Sequence, residues 1–286
     1  MSEVLQVIMN LSVLVFVITS MLAMGLSLTV KQIIQPLRST RLVILALVAN
    51  FILIPILAYL IVLVIPLDQG LATGLILLAT AAGAPFLPKL AQAAKGSMAF
   101  AVGLMVLLMV VTIIYMPLVL PLLLQGVEVN PLEIARSLIV LMLIPLAIGL
   151  FVKARYESTA ESLQPHMSQT STVAMALLLV SALVLNFDTM IGVIGTGGIL
   201  AILIFLIVAL VIGYFLGGAE AGIRSVLGLG TAQRNLSAAL VVAAQNFADD
   251  PNVLTMILVA GTVGLVLLMV SAGELGKRTP AASASG

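Results

Sequence analysis

The chain contains no cysteine and no tryptophan, and His166 is its one histidine. The lack of cysteine excludes disulfides and thiolate metal sites, and a single histidine excludes a histidine pair or a zinc cage within one chain. Charged residues make up only 8% of 286 and the net charge is +1, which gives no sign of a nucleic-acid partner. Neither a His-Glu-x-x-His nor a Gly-x-Ser-x-Gly pattern occurs, so we predict no enzymatic activity and no cofactor.

Hydrophobic residues are abundant instead: they form 62% of the chain, and the mean hydropathy is +1.31. A soluble domain of this size cannot hide so much apolar surface, so lipid is the expected solvent. The opening MSEVLQ has an acid and no basic region, which favours a retained spanning helix over a signal peptide. We predict an all-α polytopic membrane protein with a carrier domain over residues 1–276 and a disordered tail over 277–286. Nine spans of roughly 20 apolar residues are expected, at about 4–28, 41–65, 70–95, 97–124, 132–153, 168–187, 192–217, 224–247 and 252–274.

The distribution of charge between the loops predicts the orientation. One set of loop ends holds nine basic residues: Lys31, Arg38, Arg41, Lys95, Lys153, Arg155, Arg224, Lys277 and Arg278. The other set holds one base, Arg136, with seven acids: Glu3, Asp68, Glu128, Glu133, Asp188, Asp249 and Asp250. The positive-inside rule then predicts an inner-membrane protein with its N-terminus outside and its C-terminus in the cytoplasm. An odd number of spans is required, in agreement with nine.

Two of the predicted spans, 70–95 and 224–247, are interrupted by glycine, proline and polar residues near mid-membrane. The predicted helix-breaking residues are Gly83, Pro85 and Pro88 in the first span and Gly228 and Gly230 in the second. Backbone groups freed at that depth must be satisfied by protein or by a water-filled cavity. The two spans run in opposite directions, which is typical of a carrier built from inverted repeats. We therefore predict that both helices are unwound there and cross each other.

Two basic residues lie inside these interrupted spans. Arg234 is ten residues past Arg224 and well before Asp249, hence ~15 Å or more from either membrane face. A guanidinium at that depth is costly unless it is solvated or paired, which predicts either a functional or a tightly structural residue. Lys89 is closer to one face, because it is only six residues from Lys95. It either serves the same site or extends its amine to the interface.

Several stretches resemble the bile acid:sodium symporter family. MLAMGLSLTVKQI (21–33) is similar to a family signature that closes a helix before a basic cytoplasmic loop. The resemblance continues through Asn50 and Pro55, through AKG (94–96), and through the polar span 224–247. It implies a core domain and a panel domain, with the two broken helices crossing in the core beside a substrate cavity. Because the chain starts within the family's second helix, the resemblance also implies nine spans where the family has ten.

The positions that correspond to the family's sodium ligands carry the wrong side chains. The resemblance assigns the sodium positions to Leu87, Pro88, Ala101, Met105, Gly230, Asn50 and Arg234. The first five offer no side-chain oxygen, and a guanidinium has only donors. We therefore predict no metal site and no sodium coupling of the family type, with the fixed charge of Arg234 taking the place of the ions.

Taken together, the sequence predicts a secondary transporter that moves a small organic anion by alternating access in a lipid membrane. Arg234 is the predicted charge partner of the anion, with Lys89 second. The predicted polar lining comprises Gln233, Asn235, Thr231 and Asn50. Two alternatives stay open: a sodium-coupled symporter whose ligands have moved to Gln233 and Asn235, and a membrane sensor or scaffold that binds a ligand. The sequence does not indicate the substrate's identity or the oligomeric state.

Overall fold

The computed structural model describes residues 2–29, 31, 39–124, 130–185, 193 and 195–278. Within them, caps, prolines and glycines determine where the helices begin and end. Within those residues we number eleven helices and find no strand. They are α1 Ser2–Ser27, α2 Thr40–Val64, α3 Gln69–Thr80, α4 Leu87–Ala93, α5 Met98–Leu123, α6 Pro131–Arg155, α7 Glu157–Leu185, α8 Gly198–Leu216, α9 Ala221–Ala232, α10 Leu236–Asn246 and α11 Pro251–Arg278. The prediction of an all-α protein is confirmed for the described residues.

Six of these helices are long and apolar enough to cross a membrane: α1, α2, α5, α6, α8 and α11. Their outward faces carry exposed Leu, Ile, Val and Phe, as expected for surfaces in contact with lipid. The two interrupted spans correspond to the pairs α3–α4 and α9–α10. Much of these pairs lies in the interior of the molecule: every residue of α3 from Gly70 to Thr80 is buried, and so is every residue of α9 from Ser225 to Ala232. The total of nine spans stays a prediction.

Two groups of helices pack together. In the first, α1 packs against α7 and against the second half of α6. In the second, α3 packs against α11, α8 against α9, and α4 against α5, α9 and α11. The groups meet where α10 packs on α1 and on the first turns of α6. The division into core and panel domains stays a prediction.

The boundaries of two helices differ from the predicted ones. The span predicted at 168–187 belongs to α7, which begins eleven residues earlier, at Glu157. In its polar first half, Glu157 and Glu161 pair with Lys153 at the end of α6, and the hydroxyls of Thr170 and Thr172 donate to carbonyls one turn earlier in the same helix. At the other end of the chain, Lys277 and Arg278 are helical in α11, where basic side chains suit the helix dipole. The rest of the predicted tail, 279–286, lies outside the described residues, as do the charges Arg38, Glu128 and Asp188.

The second helix break lies later than predicted. Gly228 and Gly230 are inside α9, so the prediction that they break the helix is wrong; the break is at Gln233–Asn235. Both glycines allow close packing: a Cβ at Gly228 would lie 3.0 Å from the Leu210 carbonyl oxygen, and one at Gly230 would lie 2.9 Å from Leu87 Cδ2. In the first break, residues 81–86 are non-helical and include Gly83 and Pro85. Pro88 is in the first turn of α4, where proline starts a helix and does not break it.

Candidate functional site

The two helix breaks lie directly against each other. Asn235 donates its backbone N–H to the Ala81 carbonyl at 2.8 Å and its side-chain amide to the Gly83 carbonyl at 3.0 Å. Its Oδ1 accepts the N–H of Ala238, which caps the start of α10. The expected contact between the unwound segments is therefore present. We call the residues around it the crossover: residues 81–86 and 233–235 with their hydrogen-bonding partners.

Gly83 allows the first break to pack so closely. Its φ is +80°, a conformation that costs glycine little and other residues more. A side chain at this position would also collide with the backbone of Met105 and Met109 in α5. Thr112, one turn further along α5, both accepts the N–H of Ala82 and donates to its carbonyl, so the unwound backbone is satisfied by protein.

Arg234 is buried at the centre of the crossover, with 6% of its surface exposed. Its Nε donates to the Leu78 carbonyl at 3.0 Å and its Nη2 to the Ala79 carbonyl at 2.8 Å, at the C-terminal end of α3. Its Nη1 donates to the Thr231 carbonyl at 3.0 Å, at the end of α9, and to Asn50 Oδ1 at 2.9 Å. Carbonyls at helix C-termini lack intrahelical partners and carry partial negative charge, so a cation between two such ends is stabilised.

These bonds solvate the guanidinium without neutralising it. All four acceptors are carbonyl or amide oxygens, which are uncharged. The ion pairs among the described residues involve Lys153 and Lys277, not Arg234. Four of the five guanidinium N–H groups are used. A full positive charge therefore remains in the interior of the second helix group.

Asn50 reaches the crossover from a π-helical turn in α2, Ala49–Leu53. It is fully buried, accepts from Arg234, and donates to Thr231 Oγ1 at 3.4 Å and to the Ala46 carbonyl at 3.0 Å. Three of the six predicted binding residues thus form one hydrogen-bonded cluster, Arg234, Asn50 and Thr231, and Asn235 follows Arg234 in the chain and bonds to the first break. π-Helical turns often occur at functional sites because they turn one side chain out of the regular helical pattern.

The other two predicted residues differ from that cluster. Gln233 is partly buried, and its Oε1 is enclosed with no hydrogen-bond partner among the described residues. Lys89 is exposed on α4, with its Nζ 5.5 Å from the centre of the Phe86 ring. The Lys89 amine makes no hydrogen bond to the crossover within the part of the chain that the structure describes; only its backbone N–H donates, to the Phe86 carbonyl at 3.0 Å. Its exposed position is compatible with both predictions for Lys89, a role in the same site as Arg234 and an amine that extends to the membrane interface.

The region of the predicted sodium positions is filled with apolar side chains. Leu87, Ala101 and Met105 are each at most 1% exposed. The space beside Gly230 is occupied by the Leu87 and Leu104 side chains, whose methyl carbons would lie 2.9 and 3.2 Å from a Cβ there. Sodium needs oxygen ligands, so these residues do not suit the ion.

Sequence reasoning does not find two residues that support the crossover: Thr112, which bonds to the first break, and Tyr115, which bonds to the residue after Asn50. Thr112 and Tyr115 both lie on α5, in an apolar span, and both donate to carbonyls that helix irregularities leave free. The sequence signal for Tyr115 is Pro55: a proline has no N–H for the carbonyl four residues earlier, which belongs to Phe51. The signal identifies the carbonyl in need of a donor, but it does not identify the helix that supplies one.

Comparisons with known proteins agree with the resemblance described above. The sequence profile of the Sodium Bile acid symporter family matches residues 14–193. A relative from Arabidopsis thaliana, "Probable sodium/metabolite cotransporter BASS3, chloroplastic", is 26% identical over 196 residues, 68% of this chain and 46% of the relative. The chain thus spans less than half the length of that relative. Symporters are membrane transporters and not enzymes, so the prediction on enzymatic activity is confirmed at the level of the family. With the six apolar helices, these matches indicate an integral membrane protein, and the chain belongs to the sodium bile acid symporter family.

Proposed function

We propose that the protein is a secondary transporter for a small organic anion, working by alternating access without sodium coupling of the family type. The observation that carries this proposal is Arg234, a buried guanidinium held entirely by neutral oxygens. A net charge inside a membrane protein is costly, and an anion that binds nearby lowers that cost. The anion would therefore bind beside the crossover, with the charge of Arg234 as its main electrostatic partner.

The hydrogen bonds of Arg234 support a role as a fixed substitute for an ion. In a sodium-coupled carrier, a cation that binds and leaves would satisfy the carbonyls of the broken helices in each cycle. Here the guanidinium satisfies Leu78, Ala79 and Thr231, and it cannot dissociate. A fixed charge can balance a bound anion, but it cannot drive accumulation by moving down its own gradient.

The rival function is a sodium-coupled symporter with relocated ligands, and the name of the Arabidopsis relative gives it weight. Asn235 is a poor candidate ligand because its oxygen already accepts Ala238 N–H and its amide holds the Gly83 carbonyl. Gln233 is the better candidate, because its Oε1 has no partner among the described residues. A single free amide oxygen, with a fixed cation on the next residue of the chain, is a poor site for a second cation. We therefore favour the anion carrier.

The arrangement of helix ends supports the proposed orientation. Asn252 donates to Asp68 at 2.8 Å, so the acidic starts of α3 and α11 share one side. The Ser97 N–H donates to the Gly222 carbonyl at 3.4 Å, and a Cβ on Gly276 would touch Ala93, so Lys95, Arg224, Lys277 and Arg278 share the opposite side. We propose that the basic side faces the cytoplasm of a cell with the chain in its inner membrane.

Replacing sodium is expected to change transport little. Uptake of radiolabelled acetate, benzoate and succinate into proteoliposomes should have similar initial rates in sodium, potassium or choline salts. The reason is that Leu87, Ala101 and Met105, at three of the positions that correspond to sodium ligands, are buried and apolar, and a fourth position holds the cation Arg234. Binding is tested separately by the thermal shift of the purified protein with the same three anions, measured with and without sodium. A steep, saturable dependence of uptake on sodium would support the relocated-ligand symporter and contradict the proposed function.

A further inference from the structure

The π-helical turn that carries Asn50 leaves a backbone carbonyl without its helical donor. In this turn, Ile54 N–H donates to the Ala49 carbonyl, five residues back. Pro55 follows, and it has no N–H for the carbonyl of Phe51 four residues earlier. In the interior of a membrane protein, such a carbonyl has to find a donor from another segment.

Tyr115 supplies that donor from α5. Its hydroxyl donates to the Phe51 carbonyl at 2.6 Å, which is short for such a bond. Its ring also packs against the Phe51 ring, with centroids 4.8 Å apart and planes tilted by 56°. Tyr115 thus holds the residue that follows Asn50, both by its hydroxyl and by its ring.

A second π-helical turn, in α6, shows whether a turn of this kind before a proline needs a side-chain donor such as Tyr115. In α6 the turn Ile139–Leu143 also precedes a Leu-Ile-Pro sequence that ends in Pro145. No side-chain hydroxyl among the described residues donates to the Leu141 carbonyl, which corresponds to that of Phe51. Val140 is in the position of Asn50, and 48% of it is exposed. A π-helical turn before proline therefore forms without such a bond, so the need to form the turn does not by itself account for Tyr115.

We propose that Tyr115 is a positioning residue for the anion site and acts through Asn50. By fixing the Phe51 carbonyl and ring, it holds Asn50 in the orientation that accepts from Arg234 at 2.9 Å and donates to Thr231. Those contacts in turn hold the guanidinium between the ends of α3 and α9. This role rests on the proposed function, because it assumes that the charge of Arg234 attracts the transported anion.

The first test is Tyr115→Phe, which removes one hydroxyl and keeps the ring. Whichever of radiolabelled acetate, benzoate and succinate the wild type transports serves as the probe in proteoliposomes. We expect the half-saturation concentration to rise about three- to tenfold, with a smaller change in maximal rate, because one hydrogen bond is lost at a distance from the anion. The matched control is Tyr59→Phe, at an exposed tyrosine on α2, the helix that Tyr115 contacts, and it should leave both values unchanged.

A double-mutant cycle tests whether Tyr115 acts through Asn50. Asn50→Ala alone should also raise the half-saturation concentration, and Tyr115→Phe should add little in that background. Additive effects of the two substitutions would overturn the proposal. So would a lower melting temperature for Tyr115→Phe with an unchanged half-saturation concentration, because that result indicates a structural role alone.

Hydrogen exchange of residues 46–58 separates this inference from the proposed function. If Tyr115 holds the π-helical turn, Tyr115→Phe accelerates exchange there and leaves exchange of residues 136–148 unchanged. Unchanged exchange in residues 46–58 would overturn the positioning role whatever the protein transports. If the wild type transports none of the three anions, the proposed function is contradicted. If Tyr115→Phe nevertheless accelerates exchange in residues 46–58, the hold of Tyr115 on α2 is still supported.

Discussion

Replacing Arg234 with glutamine is expected to weaken anion binding by at least about thirtyfold, or to abolish it. Glutamine removes the buried positive charge and keeps much of the side-chain length. The expected effect is large because no other cationic side chain among the described residues is hydrogen-bonded into the crossover. The measurement is the ligand-induced thermal shift of the purified protein, together with uptake of the same radiolabelled anions.

The structure adds a cost in stability to this prediction. Glutamine has two N–H donors in place of the four that Arg234 uses, so at least two of the four acceptors, which are the carbonyls of Leu78, Ala79 and Thr231 and the side-chain oxygen of Asn50, lose the bond that Arg234 makes. Each such loss costs about 1–3 kcal/mol. We expect a lower melting temperature, with the protein still extracted and monodisperse, because the apolar packing of α3, α9 and α10 is unchanged.

Two further variants separate charge from structure. Arg234→Lys keeps the charge but has one amine for four acceptors, so it should be destabilised like glutamine and yet retain more anion affinity. Lys89→Gln should have a smaller effect than Arg234→Gln, because its exposed amine makes no hydrogen bond to the crossover. If Arg234→Gln transports normally, or does not fold at all, Arg234 is structural and the assignment of the anion site is wrong. Equal loss of affinity in the glutamine and lysine variants would lead to the same conclusion.

The second large effect is expected from a cross-link between α1 and α10. Ser20 and Ser237 have their hydroxyl oxygens 3.5 Å apart and join the two helix groups. The natural chain has no cysteine, so Ser20→Cys with Ser237→Cys creates a single thiol pair without background. A disulfide needs its Cβ atoms about 3.5–4.5 Å apart, which is compatible with serine hydroxyls in contact.

Oxidation of this pair is expected to stop uptake, and reduction should restore it. Alternating access requires one helix group to move against the other, and a covalent link at their meeting point prevents that movement. The matched control is Asp68→Cys with Asn252→Cys, whose native side chains are also in contact but belong to one helix group. That control should cross-link and continue to transport. Normal uptake by the oxidised Ser20–Ser237 variant would show that the groups do not separate there.

Part of the crossover could be predicted from local sequence. Gly83 and Pro85 are predictable because the weak helix preference of glycine and the missing N–H of proline are properties of single residues. Gly228 and Gly230 were misassigned for a related reason. Glycine permits a break, but it also permits close packing of a helix, and the difference depends on the neighbours. Leu87 and Tyr214 lie against α9 at these positions, so the glycines stay helical.

The depth of Arg234 followed from its distance along the chain to the nearest charges, but its partners did not. Its acceptors on α3 come from residues about 155 positions earlier, and Asn50 is 184 positions away. Tyr115 shows the same limit: Pro55 indicates a free carbonyl, whereas the donor lies 64 residues beyond Phe51. Contacts of this kind depend on how helices pack, which hydrophobic patterns in each span do not encode.

By itself the sequence determined the solvent, the helical class and the family, because composition, span length and short motifs are local properties that lipid constrains strongly. It also determined that a guanidinium lies deep in the protein, whereas the loss of the family's sodium ligands stays a prediction. Only the tertiary structure decided that Arg234 joins the ends of α3 and α9, and that Leu87 and Leu104 fill the space beside Gly230. The physical reason is that unpaired carbonyls and apolar gaps exist only once separate helices are packed together.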